Sequence, residues 1–344
     1  MKMRCEKTIV DRVKEALLAI PRRSWENGEA MQAMLELRDY DTLTLLAREV
    51  AYSRQEDGRT LIASEWEKRT VTDPSACGEA LMVAAAITRD PMLKETLEGL
   101  LDYTINRAPR NPDGILYHVN DAPEFWVDSI YMLTPFLAAA GYYDLAIKHI
   151  NTYWNIFFDE KDHMLHWIWN DEKKEFVRTH YRSICNGYGV CGIVKVACHL
   201  PTSMKKERDE LMAKAKLLID GLLKHIDSNG VCHDHIDDPE SIIGINAVSM
   251  VTGSIFRMIA AGYLDESYLK LATHLRDTLH AKVDQYGFLY GVCGIPNNNK
   301  TGISANGQSF FLMMEAAWID LQNAPGAWFT KEQGKSSDYV GVLP

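Results

Sequence analysis

One acidic residue stands out because it follows a histidine-bearing turn and adjoins an aromatic pair. The segment from Asp113 to His118 ends in the histidine, and Phe125-Trp126-Val127-Asp128 follows a few residues later. A carboxyl group held against an aromatic wall loses solvation, which favours its protonated form and suits it to donate a proton. An aspartate in the first turn of a helix also commonly caps that helix. The local sequence therefore leaves two interpretations of Asp128 open, a general acid or a helix cap.

The elements that must position this residue are predicted to be helical. Apolar residues return every three or four positions along nearly the whole chain, as in amphipathic helices. Twelve segments show this pattern, enough for six helical hairpins: 8–20, 29–37, 41–53, 77–88, 91–106, 124–140, 142–157, 183–199, 204–226, 241–261, 266–282 and 304–322.

The segments between these helices share a pattern of their own. An Asp or Gly precedes a short apolar or aromatic run that ends in His, Trp, Tyr or Cys, as at 113–118, 228–233 and 285–290. A repeat of helical hairpins about every 50 to 60 residues closes most naturally into a ring. We therefore predict an all-α (α/α)6 barrel whose connecting loops surround a funnel. Aromatic residues near these loops can stack on sugar faces or fill the core: Trp126, Trp154, Trp167, Trp169, Tyr188, Tyr263, Tyr290 and Trp318.

Composition limits the class of protein. The 344 residues contain no Pro/Gly/Ser-rich linker, so we predict one domain over 1–344, with 1–28 and 325–344 as peripheral ends. A formal net charge of −10 argues against a nucleic-acid partner. It does not exclude an anionic small substrate, because the local field of a pocket can oppose the net charge.

The cellular location is predicted from three features. The first residues lack the apolar core of a signal peptide, and no apolar run is long enough to span a membrane. The seven cysteines are an odd number without framework spacing, which favours reduced thiols. We therefore expect a soluble cytoplasmic protein.

Several motifs, in order, resemble those of the unsaturated glucuronyl and rhamnogalacturonyl hydrolases, glycoside hydrolase families 88 and 105. The resemblance covers roughly residues 30 to 325. In chain order, the matching motifs are Asp113-Gly114 with Tyr117-His118, Trp126-Val127-Asp128-Ser129-Ile130-Tyr131-Met132, Asn186-Gly187-Tyr188-Gly189, Asp237-Asp238-Pro239 and Gly307-Gln308-Ser309-Phe310-Phe311-Leu312. The resemblance implies an (α/α)6 barrel and removal of a 4,5-unsaturated uronic acid from the non-reducing end of lyase-generated oligosaccharides. The reaction would be hydration of a vinyl ether, without metal or organic cofactor.

The resemblance also assigns roles to residues. Asp128 matches the catalytic acid, and Asp73 lies near the position of a second carboxylate, although an Asp-Pro turn explains Asp73 equally well. The matching substrate-binding positions are His118, Trp126, His166, Trp167 and Tyr188. To these we add His233 as a sugar-contacting or simply solvated loop residue. A metal site over Cys232-His233-Asp234-His235 is not expected, because no second ligand cluster accompanies it.

One departure from the family pattern concerns the substrate. The family has an arginine two residues before the Asn-Gly pair, and Ile184 occupies that position here. The nearest arginine is Arg182. Isoleucine cannot bind a carboxylate as arginine does. An epimerase, a saturated-sugar glycosidase and a catalytically silent sugar-binding protein therefore remain alternatives, and the sugar after the uronate and the oligomeric state stay open.

Overall fold

A computed structural model describes residues 7–20, 22–61, 67–295 and 297–323. The helices are α1 Ile9–Ala19, α2 Ser24–Glu36, α3 Tyr40–Tyr52, α4 Gly78–Thr88, α5 Pro91–Asp102, α6 Ser129–Met132, α7 Thr134–Ala139, α8 Tyr143–Phe157, α9 Ser183–His199, α10 Lys205–Leu223, α11 Asn246–Ala260, α12 Glu266–His280 and α13 Ala305–Asn323. The strands are β1 Glu124–Trp126, β2 Phe158–Asp159, β3 Met164–Leu165, β4 Ile168–Asn170, β5 Glu175–Arg178, β6 Val292–Cys293 and β7 Thr301–Gly302. Among these described helices, none combines the length and apolar character needed to cross a bilayer.

The helices form two concentric rings. The inner ring runs α2, α4, α6–α7, α9, α11 and α13; each unit contacts the next, and α13 closes the ring by contacting α2. Inner helices such as α9 and α13 are buried along nearly their whole length, whereas the outer helices α1, α3, α5, α8, α10 and α12 bury one face. The (α/α)6 barrel predicted from the sequence is confirmed, and α9 has the bounds 183–199 that periodicity predicted.

One predicted helix is wrong in a way that matters for the site. Instead of a single helix over 124–140, residues 124–126 form β1, which pairs antiparallel with β4. The short helices α6 and α7 follow, separated at Leu133. Pro135 explains this break, because it has no N–H to donate to the carbonyl four residues earlier. Asp128 thus lies between a strand and a short helix, not within a long helix.

The loop repeat seen in the sequence has a common structure. At three loops a residue donates its backbone N–H to the carbonyl four residues later, and its side-chain oxygen accepts two backbone N–H groups: Asn111, Asp227 and Asp284. The residue three positions later is a glycine with positive φ, at Gly114 (83°), Gly230 (65°) and Gly287 (93°). Side chains other than glycine rarely adopt this conformation, so the turn requires the repeated glycine.

The N-terminal ends of several inner helices meet on the barrel axis. The Asn246 side chain donates to Asn306 Oδ1 at 2.7 Å, and Asn306 in turn donates to Glu29 Oε1 at 2.9 Å. The Tyr188 hydroxyl donates to the same Glu29 oxygen at 2.6 Å. Burial raises the pKa of Glu29 well above its usual range, so this network is built around a neutral carboxylic acid. We call this end of the barrel the N-terminal end.

The predicted peripheral segment 1–28 is wrong for the residues that the structure describes. Val13 and Leu17 on α1 are fully buried, and α1 packs against α13. On α2, a side chain at Gly28 would overlap Ala76, so the helices approach closely there. Residues 9–20 and 22–28 therefore belong to the barrel, because their apolar faces complete its core. The other predicted end, 325–344, lies outside the described residues.

A cavity of about 40 Å3 lies toward the C-terminal ends of the inner helices and is lined partly by Glu36, Lys195 and Arg257. Its cations are already paired: Lys195 binds Glu36 at 2.9 Å, and Arg257 binds Glu36 at 3.1 Å as well as Asp320. A charged substrate group would have to displace these buried ion pairs, which is costly. We therefore place the candidate site at the opposite, N-terminal end.

Candidate active site

Asp128 stands at the N-cap position of α6, but its side chain does not cap the helix. Instead Asp128 Oδ2 accepts the S–H of Cys185, from the first turn of α9, at a sulfur–oxygen distance of 3.5 Å. Asp128 is half-buried, while its neighbours Val127 and Ser129 are fully buried. The capping interpretation of Asp128 is therefore wrong, and its carboxyl group has the partial exposure that contact with a ligand requires.

Asp73 provides a second carboxyl group at this end of the barrel, in the turn of 3-10 helix Asp73–Cys77 that leads into α4. It is only 6% exposed. Burial, followed by the nearby charge of Asp128, raises the pKa of Asp73 well above its usual range. Two neighbouring carboxyl groups in a dry site do not both ionise readily. Asp73 therefore favours its protonated form and adds no second negative charge beside Asp128.

His118 is held between Asp73 and two hydroxyl groups. Its Nε2 lies 3.6 Å from Asp73 Oδ1, and its Nδ1 lies 2.8 Å from Thr72 Oγ1 and 3.0 Å from Ser129 Oγ. Burial lowers the pKa of His118 to about 4, so the imidazole is neutral above that pH. The histidine thus fixes the positions of its neighbours and adds no positive charge.

A row of stacked side chains leads from His118 across the N-terminal end of the barrel. The His118 ring stacks on Trp126 with centroids 4.6 Å apart, and Trp126 meets Trp167 edge-on at 6.2 Å. The guanidinium of Arg182 then lies over the Trp167 ring at 4.8 Å. The pairing of β1 with β4 explains the approach of the two tryptophans, because Trp126 is opposite Ile168 in this sheet. Half-buried aromatic rings of this kind are suited to contact sugars.

Arg182 ends the row and is bound to Asp234, an acid that no sequence motif singles out. Its Nε donates to both carboxylate oxygens of Asp234, at 3.2 and 3.3 Å. Asp234 Oδ1 also accepts the S–H of Cys293 at 3.2 Å. Asp234 is 6% exposed. The ion pair uses the Nε side of the guanidinium, and Nη2 makes one long hydrogen bond, 3.5 Å, to the Asn298 carbonyl oxygen. The edge formed by the two terminal nitrogens can address a ligand when Nη2 exchanges this long contact for it.

The local backbone explains why Asp234, and not a histidine, reaches the site. His233 and His235 each form an isolated antiparallel bridge, His233 with Ile243 and His235 with Arg182. Side chains alternate along such a segment, so Cys232 and Asp234 are buried while His233 and His235 face outward. The same alternation is present in the sequence and is the signal that could have identified Asp234. The sequence-based interpretation of this segment follows its histidines instead.

Three predicted substrate residues lie outside the row of side chains that runs from His118 to Arg182. His166 Nδ1 lies 2.6 Å from the Thr179 carbonyl oxygen, and its ring packs on Phe176 and Tyr181. His233 Nδ1 lies 2.8 Å from the Ser241 carbonyl oxygen. Roles for these two in binding an extended substrate stay predictions.

The third, Tyr188, is a correction: it is 2% exposed and belongs to the Glu29 network below the site. A side chain so enclosed cannot stack on a sugar. Its position on α9, close to the barrel axis, explains the burial. In the described part of the chain, no three His, Cys, Asp or Glu side chains assemble into a metal site.

The chain matches a known protein family along most of its length. The model of Glycosyl Hydrolase Family 88 matches residues 3–314. The chain belongs to this family. Residues 3–314 include all the side chains of the site described above, so the predicted resemblance to family 88 is confirmed.

Individual relatives are distant. The chain is 22% identical over 214 residues to the unsaturated rhamnogalacturonyl hydrolase YesR of Bacillus subtilis (strain 168), a match that covers 56% of this chain and 59% of YesR. A glycoside hydrolase of family 105 from C. acetobutylicum ATCC 824 superposes with a TM-score of 0.77 at 18% identity, over 91% of this chain and 99% of that one. An unsaturated glucuronyl hydrolase from Bacillus sp. GL1 superposes with a TM-score of 0.69 at 14% identity, over 94% and 97%. At such identities the superpositions establish the shared fold.

The structure also clarifies how this family 88 chain departs from the pattern at Ile184. Ile184 is 4% exposed and packs in the core, whereas Arg182 is the residue directed toward Trp167 and Asp234. A cation is therefore present at the N-terminal end of the barrel, supplied from two positions earlier in the chain. The sequence alone could not show this, because Arg182 precedes α9 and its direction depends on the bridge to His235.

Proposed function

We propose that this chain is an unsaturated uronyl hydrolase, which removes a 4,5-unsaturated uronic acid from the non-reducing end of lyase-generated oligosaccharides. The observation that carries the proposal is the pair of carboxyl groups with unlike environments, Asp128 half-buried and Asp73 buried with a raised pKa. The names of the relatives support the substrate class, since YesR is an unsaturated rhamnogalacturonyl hydrolase.

Asp128 acts as general acid and then as general base. Its proton passes to C4 of the C4=C5 double bond, and positive charge develops at C5 and on the ring oxygen. Water adds at C5 and gives its proton to the Asp128 carboxylate, which restores the acid. The resulting hemiketal opens, and the bond from the former anomeric carbon to the leaving sugar breaks. One carboxyl group suffices for this cycle, unlike the two that ordinary glycosidases require.

Asp73 and His118 prepare the site for this cycle. Because Asp73 keeps its proton, no second negative charge opposes the Asp128 carboxylate after the proton has been donated. The neutral His118, 3.6 Å from Asp73 and stacked on Trp126, holds the carboxylic acid and the tryptophan in place. The ring face of Trp126 and the edge of Trp167 then form the wall along which the uronate lies.

Arg182 binds the carboxylate of the uronate through its two terminal nitrogens, and the substrate replaces the long contact of Nη2 with the Asn298 carbonyl oxygen. Asp234 holds the Nε side and Trp167 supports the face, so the guanidinium is oriented before substrate arrives. Three long inner helices, α9, α11 and α13, also begin at this end of the barrel. Their positive N-terminal ends favour an anionic ligand. This arrangement offsets the net negative charge of the chain at the site.

The experiment is a substrate panel followed by ultraviolet absorbance. Disaccharides made by lyases, with the unsaturated uronate joined to rhamnose, glucose, glucosamine or galactosamine, are mixed with the protein and with Asp128→Asn. The proposal predicts loss of the absorbance of the conjugated uronate with the wild type alone, and the substrate cleaved fastest identifies the second sugar. Binding without absorbance loss on every substrate would instead support a silent sugar-binding protein, and refute the proposal.

The compartment is proposed on separate grounds. The six cysteines within the described residues, at 77, 185, 191, 198, 232 and 293, are all free. Free thiols are typical of a reducing compartment, so we propose a cytoplasmic enzyme that acts on imported oligosaccharides. Reporter fractionation of the intact protein in its host tests this; recovery outside the cell would contradict it.

A further inference from the structure

Cys185 contacts Asp128 but takes no part in the reaction steps proposed above. Its Sγ lies 3.5 Å from Asp128 Oδ2, and the residue is fully buried at the start of α9. A neutral thiol is a hydrogen-bond donor, although a weak one. Burial raises the pKa of the Cys185 thiol well above its usual range, so the sulfur keeps its hydrogen and can donate to the carboxyl group of Asp128 in either protonation state.

We propose that Cys185 is a positioning residue that holds Asp128 through Oδ2, so that Oδ1 is the oxygen that carries the transferred proton. This inference rests on the proposed function for its catalytic meaning. A carboxyl group can turn about its Cβ–Cγ bond, and a proton can sit on either oxygen. A donor fixed to Oδ2 favours the proton on Oδ1, because the carbonyl oxygen of a carboxylic acid is a better acceptor than its hydroxyl oxygen.

The weakness of the donor has a consequence for acid strength. A strong donor such as a hydroxyl group stabilises the carboxylate and makes the acid lose its proton at lower pH. A thiol orients the carboxyl group with a smaller effect of this kind. Cysteine at this position therefore fixes the geometry of the carboxyl group while stabilising its carboxylate form less than a hydroxyl group would.

The same position also keeps the thiol from reacting. The thiolate, and not the thiol, is the nucleophilic form of cysteine. Enclosed by α9 and directed to Asp128, Cys185 stays protonated. It therefore serves as a donor and not as a nucleophile.

Other groups also face Asp128 and must be constant in any test. Besides Cys185 there are five: Asp73 before α4, His118 before β1, Tyr153 on α8, Arg182 directly before α9 and the buried Tyr188 on α9. Substitution of Cys185 alone leaves the other five unchanged. A difference between variants then reports the side chain at 185.

The test compares Cys185→Ala and Cys185→Ser with the wild type by kcat, KM and the pH–rate profile. Alanine removes the donor, so we expect kcat to fall about three- to tenfold with KM nearly unchanged. The alkaline limb, where the acid loses its proton, should move up by about half a pH unit because the carboxylate has lost a stabilising donor. Serine should recover most of kcat and move the same limb to lower pH.

Cys191→Ala is the matched control. Cys191 is a buried thiol on the same helix that donates to the Met250 carbonyl oxygen, lies 3.4 Å from Ser254 Oγ and lines the cavity beside Glu36. It should keep the wild-type kcat and pH profile. Wild-type behaviour of Cys185→Ala would overturn the inference, and so would equal losses in the alanine and serine variants with unmoved limbs, since that pattern indicates packing alone.

A second readout separates this inference from the proposed function. Carbon-13 labelling of aspartate carboxyl groups lets the Asp128 resonance, assigned by its loss in Asp128→Asn, be titrated without substrate. The inference predicts that its midpoint rises in Cys185→Ala and falls in Cys185→Ser. If the wild type cleaves no unsaturated substrate, the proposed function fails while these shifts still test the thiol contact. The same Asp128 titration midpoint in the wild type, Cys185→Ala and Cys185→Ser would refute a hydrogen bond from Cys185 to Asp128.

Discussion

Replacing Arg182 with lysine tests how the site binds an anionic substrate. Lysine keeps the positive charge but lacks the planar edge that can donate two parallel hydrogen bonds to a carboxylate. Loss of one charge-assisted hydrogen bond costs about 1.5–3 kcal/mol, which corresponds to about 10- to 150-fold in affinity. We therefore expect KM to rise by this factor in Arg182→Lys, while kcat changes much less because Asp128 is untouched.

The assay pairs two substrates. With the unsaturated uronate, Arg182→Lys should show the full rise in KM; with the methyl ester of the same uronate, which has no charge at that position, wild type and variant should differ by less than about threefold. Equal losses on both substrates, or an unchanged KM on the acid, would refute the role of Arg182 as the carboxylate-binding residue.

Stability must be controlled in this experiment, because Arg182 also neutralises Asp234. The side chain of Asp234 is 8% exposed and that of Arg182 is 16% exposed. Breaking such a buried pair leaves an uncompensated charge and costs about 3–5 kcal/mol, so Arg182→Met should lower the free energy of unfolding by this amount. The double variant Arg182→Met with Asp234→Asn should recover much of it. The double variant then separates loss of binding from loss of folding.

Three further predictions follow from the described contacts. Burial raises the pKa of Glu26 to about 7 from an ordinary value of 4.5; the folded state thus binds the proton more tightly, and wild-type stability falls as pH rises from 4.5 through 7. Glu26→Gln has no such loss, so in urea unfolding it should be more stable than wild type by about 3 kcal/mol at pH 8 but not at pH 4.5. A stability difference that does not grow with pH would contradict the raised pKa of Glu26. Tyr188→Phe removes the hydroxyl that donates to Glu29 and should lower the unfolding free energy by about 1–2 kcal/mol with KM within twofold of wild type, whereas a tenfold rise in KM would return Tyr188 to the substrate site. Ile184→Arg, which restores the family's arginine at a position 4% exposed, should destabilise the fold by about 3 kcal/mol or more and not raise activity; a gain in turnover would disprove our account of Arg182.

The architecture was predictable because it depends on local patterns. Apolar periodicity gave twelve helical segments, and α9 has its predicted bounds. The failure at 124–140 has a physical cause: Phe125 and Trp126 are apolar and continue the helical pattern, but they pair with β4. A short apolar run does not distinguish a strand from a helix, and here the partner strand lies more than 40 residues later in the chain.

The site was predictable only in part, because half of it is assembled across long distances in the chain. Asp128, His118 and Trp126 lie within one segment, and the structure places them together with Asp73. The ion pair of Arg182 with Asp234 depends on an isolated bridge between two loops, which periodicity does not show.

The sequence nevertheless contains one further signal for the position of the site. Asn186, Asn246 and Asn306 are spaced by 60 residues and each begins or nearly begins an inner helix. Two of them join the axial network with Glu29, and Asn186 binds the backbone of Leu165. This regular spacing of asparagines therefore marks the N-terminal end of the barrel.

The central claim is that Asp128 protonates the double bond, so that hydration and release of the second sugar are one event. The most direct measurement follows the ultraviolet absorbance and the released sugar together in a single reaction, with wild type and Asp128→Asn. We predict that both signals change at the same rate and in equal molar amounts with the wild type, and that neither changes with the variant. Release of the sugar while the absorbance persists would indicate ordinary displacement at the anomeric carbon and would contradict the mechanism, as would full activity of Asp128→Asn.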